Sequence, residues 1–240
     1  MTKNSPKYRR VIIKLSGETL GKKGGEIFDL AALDFIARNV KEAVAAGAGV
    51  GIVVGGGNIV RGATASALGL ERTVADQMGM LATVINGLAL REALVQAGLP
   101  VRLFSSVEVG AAAEPYHPGR AREALGRGEV GIFSGGTGNP FVSTDTAAVL
   151  RACDLKADAV LKATKVDGVY TADPVKDPSA KKFAAITYDE ALQRGLKIMD
   201  LSAIALAKEN RVPVLVFDFW AEHALRRAVR GERLGTLVSA

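Results

Sequence analysis

Apolar positions recur along the chain in two rhythms. Runs of consecutive aliphatic and β-branched residues at Val11–Leu15, Val50–Val54, Val101–Phe104, Val130–Phe133, Ala159–Lys162 and Val212–Phe217 predict buried strands, and Thr236–Ser239 predicts a last short one. Between them, apolar residues return every three or four positions. Leu33, Ile36, Val40 and Val44 form one face of a helix over Leu30–Ala46, which Gly47 stops. A longer helical pattern over Arg72–Ala97 carries Met78, Met80, Leu81, Val84, Leu88 and Leu94, and closes at Gly98 and Pro100. Shorter helices are predicted at Ala121–Leu125, from Asp145 to about Leu155, at Tyr188–Arg194, at Leu201–Asn210 with Asp200 as its cap, and at His223–Arg230. Glu114–Gly119, with two prolines, reads as a loop. Val166–Lys182, with Asp167-Gly168, Asp173-Pro174 and Asp177-Pro178, reads as turns with little packed core.

Strands that alternate with helices predict an α/β fold: one mainly parallel sheet with helices on both faces, a three-layer sandwich built from residues 1–240 as a single domain. Neither a linker nor an internal repeat interrupts it. Parallel strands all end on one side. The segments Lys14–Gly17, Gly55–Gly57, Ser134–Asn139 and Lys162–Lys165 each follow a predicted strand, so they converge on the carboxyl edge, where open α/β sheets bind ligands.

Of these segments, Ser134–Ala148 says most about chemistry. Gly135, Gly136 and Gly138, with Asn139 and Pro140, form a turn, and Ser143, Thr144, Asp145 and Thr146 then precede an apolar helical run, so one of the four caps it. Strand, glycine turn and hydroxyl-rich helix start present N–H groups and hydroxyls at the positive end of a helix, an arrangement suited to phosphate. Lys14, Arg61, Lys162 and Lys165 add cations, and Asp145 and Asp200 are candidates to orient the lysines. Singly, each is also an ordinary strand-end lysine or helix cap. Backbone donors plus cations are what phosphoryl transfer needs, and an acceptor that is itself a phosphate needs no general base.

Composition narrows the class further. The chain has 48% hydrophobic and 23% charged residues, as a globular domain does. Met1–Tyr8 is polar and unlike a signal peptide, and no apolar stretch is read as long enough to span a membrane. Cys153 is the only cysteine, which excludes an internal disulfide and suits a reducing cytoplasm; it reads as a core residue on a helix. The net charge of +6 is dispersed, and clusters such as Lys7–Arg10 and Arg226–Arg230 are short, which favours a solvated surface over a nucleic-acid groove. No Gly-x-x-x-x-Gly-Lys-Ser/Thr loop and no Gly-x-Gly-x-x-Gly after a strand occurs, and His117 and His223 stand alone, so neither a P-loop, a dinucleotide fold nor a His/Cys metal cluster is indicated.

Five stretches together carry a family resemblance across the whole chain. They are Lys14-Leu15-Ser16-Gly17-Glu18, Gly55-Gly56-Gly57-Asn58-Ile59-Val60-Arg61-Gly62, Asp76-Gln77-Met78-Gly79-Met80-Leu81-Ala82-Thr83, Gly136-Thr137-Gly138-Asn139-Pro140-Phe141, and Lys162 to Pro174. They resemble the amino acid kinase family, the last three stretches pointing to its bacterial uridylate kinase branch. The resemblance implies transfer of the ATP γ-phosphoryl group to UMP, a step in pyrimidine nucleotide biosynthesis, with Mg²⁺ carried by the nucleotide and no protein metal site. It implies a catalytic set of Lys14, Lys162, Asp145 and Asp200. ATP would lie along Lys14, Leu15, Ser16, Gly17, Gly57, Arg61, Thr164, Lys165, Tyr170 and Asp173. UMP would contact Gly56, Asp76, Thr137, Gly138, Asn139, Pro140, Phe141, Val142, Ser143 and Thr144. The acceptor would thus be held by about residues 1–150 and ATP by about 151–240.

The resemblance further implies a cytoplasmic homohexamer with UTP and GTP as effectors, no nucleic acid and no membrane. Arg91 and Arg102 are the candidate effector contacts. The pattern departs from the family at Gly21–Ile27, where Lys22 and Lys23 stand in a loop that in several members holds a phenylalanine linked to GTP response; here Phe28 sits just beyond. Ser143 stands where a further threonine is common.

Overall fold

A computed structural model describes residues 6–22, 26–60, 69–174, 176–196 and 198–240. Nine strands form one sheet: β1 (Arg10–Leu15), β2 (Gly49–Val54), β3 (Val101–Ser105), β4 (Glu114–Pro115), β5 (Val130–Ser134), β6 (Ala159–Thr164), β7 (Ala185–Thr187), β8 (Val214–Asp218) and β9 (Thr236–Ser239). Their order is β4-β3-β5-β2-β1-β6-β8-β9-β7, so strands from both halves of the chain share one sheet with β1 at its centre. Every neighbouring pair is parallel except β8 with β9. The described helices are α1 (Leu30–Ala45), α2 (Arg72–Gln96), α3 (Pro118–Gly126), α4 (Thr144–Leu155), α5 (Tyr188–Gln193), α6 (Leu201–Glu209) and α7 (Ala224–Val229).

Side chains alternate across the strands and sort the core into two layers. Val11, Ile13 and Leu15 of β1 join Leu33 and Ile36 of α1, Leu90 and Leu94 of α2, and Leu225 of α7 on one face. Ile12 of β1 and Val160 of β6 join Ala147, Ala148 and Ala152 of α4, Ala121 of α3 and Ala203 of α6 on the other. The three-layer sandwich expected from the pattern is therefore present.

Several local expectations need correction. Glu114–Gly119 is not all loop: Glu114 and Pro115 pair with Phe104 and Ser105 as a two-residue edge strand, where the missing proline N–H costs nothing. Helix α3 begins at Pro118 rather than Ala121, because proline suits the first helical position and His117 Nδ1 accepts the Gly119 N–H at 3.2 Å. The strand predicted to end at Lys162 continues to Thr164, paired throughout with β8, so Lys162 lies inside β6 rather than in the loop after it. Within Val166–Lys182, Val169 is buried, its N–H donates to Thr236 Oγ1 at 2.8 Å, and Tyr170 bridges to Lys182, which ties this segment to the sheet edge. The short strand β7 has no counterpart in the apolar pattern.

Helix α2 corrects the reading that no stretch is long and apolar enough for a membrane. It has 25 residues, and an 18-residue window within it has mean hydropathy 1.4, so it matches a span by length and composition only. Part of that apolarity is core: Leu90 and Leu94 pack toward the sheet, and Val84 is buried. The rest is an exposed stripe, Val74, Met78, Leu81 and Ile85, at helical spacing.

Candidate active site

Lys14 and Lys162 are register partners on the adjacent parallel strands β1 and β6. Strand alternation gives them the parity of Ile12 and Val160, so both point to the face covered by α4. Two ammonium groups side by side repel, and α4 supplies the remedy in its first turn. Asp145 Oδ1 lies 3.0 Å from Lys14 Nζ and Oδ2 lies 2.7 Å from Lys162 Nζ, with all three side chains 14–16% exposed. Lys162 also donates to the carbonyl of Ile198 at 2.5 Å. Burial pushes the Asp145 carboxyl up, but the two lysine charges and their hydrogen bonds outweigh it and hold the group below the usual carboxylate range. Burial is the larger influence on Lys162: it lowers the ammonium below the usual lysine range although Asp145 opposes it.

A titration follows from that direction. If protonated Lys162 is needed for turnover, activity falls as pH rises through its lowered value. The alkaline limb of kcat/KM should then start below the ordinary lysine range. In Lys162→Arg the limb should leave the accessible range, since guanidinium does not deprotonate there. Identical limbs in both proteins would remove Lys162 from the titration.

The start of α4 is fixed by a second carboxylate. Of the four candidate caps, Ser143 serves: its Oγ accepts from the N–H groups of Asp145 and Thr146, each at 3.1 Å. Ser143 Oγ in turn donates to Asp200 Oδ2, and Thr146 Oγ1 donates to Asp200 Oδ1 at 2.9 Å. Asp200 also caps α6 through the Ala203 N–H at 3.1 Å. Its hydrogen bonds thus run to hydroxyls and a backbone amide rather than to the lysines, although its charge still favours protonated Lys162. Its placement joins two helix N-termini beside the lysine pair.

Three glycine loops close around this centre. A Cβ on Gly17 would meet Asn58 Oδ1 at 2.6 Å, Gly57 N at 2.7 Å and Gly55 O at 2.8 Å, so the loop after β1 lies directly on the loop after β2. Buried Asn86 holds the second loop by donating to Gly55 O at 2.7 Å and exchanging hydrogen bonds with Asn58. Gly135, Gly136 and Gly138 all have positive φ in the third loop, and the Gly135 N–H donates to Thr83 Oγ1 at 2.7 Å.

Two clefts open near the lysine bridge, one reached by Lys162 and the other by Thr144. One, of about 330 Å³, is lined by residues including Gly56, Gly57, Asp76, Gly136, Asn139 and Thr144, with Val142 and Ser143 at its edge. The other, of about 480 Å³, is lined by residues including Lys162, Thr164, Gly168, Tyr170 and Asp173. Between them an open groove is lined by residues including Arg72, Phe141, Ser143 and Asp200. Asp76 Oδ2 accepts from the Phe141 N–H at 2.7 Å and from Arg72 Nε at 2.8 Å, which ties the third loop to α2.

Not every candidate residue enters these clefts as a side chain. Leu15 is fully buried in the core, so only its backbone, whose carbonyl accepts from Gly55 N–H at 2.9 Å, faces the loops. Lys165 is exposed and lines none of the three spaces. Tyr170 Oη is taken up by Asp167 at 2.6 Å. Thr137, Gly138 and Pro140 belong to the third loop, Thr137 Oγ1 accepting from Asn139 N–H at 3.2 Å, and Ser16 precedes the Gly17 turn. Arg61, placed with the cations by sequence, lies outside the described residues, as does Lys23. Residues that sequence reading did not single out are Asn86, Ser106 and Arg151, which act from beneath the loops; a polar residue within an apolar helical run was the available signal for Asn86 and Arg151.

A parallel sheet whose carboxyl edge gathers glycine loops, two lysines and a helix N-terminus defines a phosphate-handling α/β protein. Residues 9–218 match the model of the amino acid kinase family. A uridylate kinase of Legionella pneumophila (strain Lens) is 49% identical over 242 residues, covering 100% of this chain and 98% of that protein. The uridylate kinase of Pectobacterium atrosepticum is 50% identical over 99% of both. The crystal structure of a UMP kinase from Bacillus anthracis superposes with TM-score 0.95 at 41% identity, covering 97% of this chain and 96% of that one. The chain belongs to the amino acid kinase family, in its uridylate kinase branch.

Proposed function

We infer that the protein transfers the γ-phosphoryl group of ATP to UMP, giving ADP and UDP, as a step of pyrimidine nucleotide biosynthesis. The observation that carries this reading is the Lys14–Asp145–Lys162 bridge, whose Lys162 lines one cleft while Thr144, next to Asp145 in the chain, lines another. UMP occupies the cleft of Gly56, Asp76, Asn139 and Thr144, with the remainder of Thr137–Ser143 closing over it. Adenosine occupies the cleft of Thr164, Gly168, Tyr170 and Asp173, and the phosphates extend from it toward Gly57, which lines the acceptor cleft. The triphosphate runs past Ser16 and Gly17 to Lys14. The N-terminal part of the sheet thus serves the acceptor and the C-terminal part ATP.

In the transfer, a UMP phosphate oxygen forms a bond to the γ-phosphorus while the bond to the β,γ-bridging oxygen breaks, and that electron pair leaves on ADP. The acceptor phosphate is largely ionised at neutral pH, so no residue needs to remove a proton. Lys14 and Lys162 neutralise the oxygens that gain charge, and Asp145 holds the two ammonium groups in place before the substrates arrive. Asp200 fixes the α4 N-terminus that faces the phosphates. Mg²⁺ arrives on the ATP phosphates and supplies further charge neutralisation there. The donors here are ammonium and amide groups, which fit phosphate oxygen, and the central carboxylate is already engaged by two lysines.

The test is a coupled assay with ATP, Mg²⁺ and each nucleoside monophosphate in turn. UDP formed from UMP, with little product from the others, supports the reading. Phosphorylation of glutamate, aspartate or carbamate without UDP formation overturns it.

We further propose a cytoplasmic homohexamer with UTP and GTP as effectors, Arg91 and Arg102 being the candidate effector contacts. Those two arginines line one cleft of about 340 Å³, where Arg102 pairs with Glu114 at 3.3 Å and Glu129 at 3.2 Å. The exposed stripe Val74, Met78, Leu81 and Ile85 supports self-association, since these side chains are 38–50% exposed on one helix. Leu81→Asp should therefore shift the light-scattering mass to smaller species. An unchanged mass would separate α2 from the assembly.

A further inference from the structure

Arg151 sits in the middle of α4, is 3% exposed, and faces away from both clefts toward the underside of the Gly135–Gly138 turn. Its Nη2 donates to Ser106 Oγ at 2.8 Å and to the carbonyl of Gly136 at 3.4 Å, and Ser106 Oγ donates to the same carbonyl at 3.1 Å. Its Nη1 donates to Asp154 Oδ2 at 2.8 Å. Tyr116 clamps the guanidinium from one side, 3.7 Å from ring centroid to Cζ, and donates its own hydroxyl to Asp154 Oδ2 at 2.8 Å. Burial is the chief reason the Tyr116 phenol is held well above its usual range, so this donor stays protonated at any working pH.

The turn rests on Ser106 without slack. A Cβ on Gly135 would come within 2.8 Å of Ser106 N, and one on Gly138 within 2.8 Å of Ser106 O. In a trans peptide the carbonyl and the following N–H point in opposite directions. Holding Gly136 O down onto Ser106 and Arg151 therefore aims the Thr137 N–H the other way. An apolar residue would fill the space beneath the turn without the desolvation cost of a guanidinium, so packing alone does not account for this choice. The planar fork, by contrast, can hold Asp154, Ser106 and a backbone carbonyl at once.

We propose that Arg151, acting through Ser106 and the Gly136 carbonyl, is a positioning residue that sets the Gly136–Thr137 peptide for the phosphoryl acceptor. It touches neither substrate. The proposal rests on the reading that UMP binds against this turn, and its test separates the two.

Three variants serve: Arg151→Met, Arg151→Lys and Ser106→Ala. In substrate-free protein, amide exchange of peptides spanning 134–140 should quicken at least tenfold in Arg151→Met and Ser106→Ala, while peptides around Lys162 keep their wild-type rate. In steady-state assays KM for UMP should rise at least tenfold with KM for ATP within twofold of wild type. Arg151→Lys should recover part of the loss, since an ammonium still reaches Ser106 or Gly136. Ser106→Ala leaves the buried ion pair with Asp154 in place and decides the matter should Arg151→Met fail to fold. Unchanged exchange in the turn, or equal rises in both KM values, would overturn the proposal. Absence of UDP formation by the wild type would instead strike the function, leaving the exchange comparison to judge the role of Arg151.

Discussion

Lys14→Ala is expected to lower kcat by about a thousandfold while moving the melting temperature by only a few degrees. Removing one preorganised charge or donor from a developing oxyanion costs on the order of 10²–10³ in rate. Lys14 is at the upper end because it is largely buried, where charge is poorly screened, and stands in the register position opposite Lys162. The structural cost is small for a separate reason. Asp145 keeps the Lys162 hydrogen bond at 2.7 Å, so no carboxylate is left alone, and the strand keeps its pairing on both sides. A charge that acts only as the phosphoryl group passes should lower kcat and kcat/KM together. The measurement is steady-state kinetics beside a thermal melt of the same preparation. Turnover within tenfold of wild type in a folded Lys14→Ala protein would remove Lys14 from the mechanism.

The ease with which this site can be read from sequence differs among its parts for physical reasons. The strands around β1 are buried on both faces, so their apolar runs are unmistakable, and the loops after them are marked by glycines that only close backbone approach or positive φ requires. Parallel pairing then places the loops after β1, β2 and β5 on one edge whatever the side chains do. The pairing of Lys14 with Lys162 was not legible, because two apolar runs buried on both faces carry no alternation that would fix the register of one strand against the other. Ser143 could not be chosen over Thr144 or Asp145 as the cap, since all three are capping types and only the Asp200 contact distinguishes it. Edge strands β4 and β7 have two and three residues, too few to show a period. Arg151 offers only a weak sign, a charged residue within an apolar helical run; its partners Ser106, Tyr116 and Gly136 are 15 to 45 residues away, so the run alone does not say what the guanidinium holds.

Asp145→Asn should destabilise the protein by about 3 kcal/mol at neutral pH, within the range for breaking a buried ion pair by removing one partner. The wild-type carboxylate cancels part of the repulsion between two ammonium groups on neighbouring strands, and asparagine retains hydrogen-bonding oxygen but no charge. The pH dependence follows from the direction of the shift. The folded-state value of Asp145 lies below its unfolded value, so its contribution is fully present above the ordinary carboxylate range. That contribution is lost as pH falls through the lowered folded value, when the folded protein also takes up the proton. Chemical denaturation at a series of pH values should therefore show a wide gap between wild type and Asp145→Asn at pH 7 that narrows steadily on acidification. The same substitution removes the charge that keeps Lys162 protonated against burial and against Lys14, so the alkaline limb of activity should move to still lower pH. A destabilisation that stayed constant across the acid range would mean the carboxylate acts by packing alone, and the lysine bridge would lose its electrostatic role.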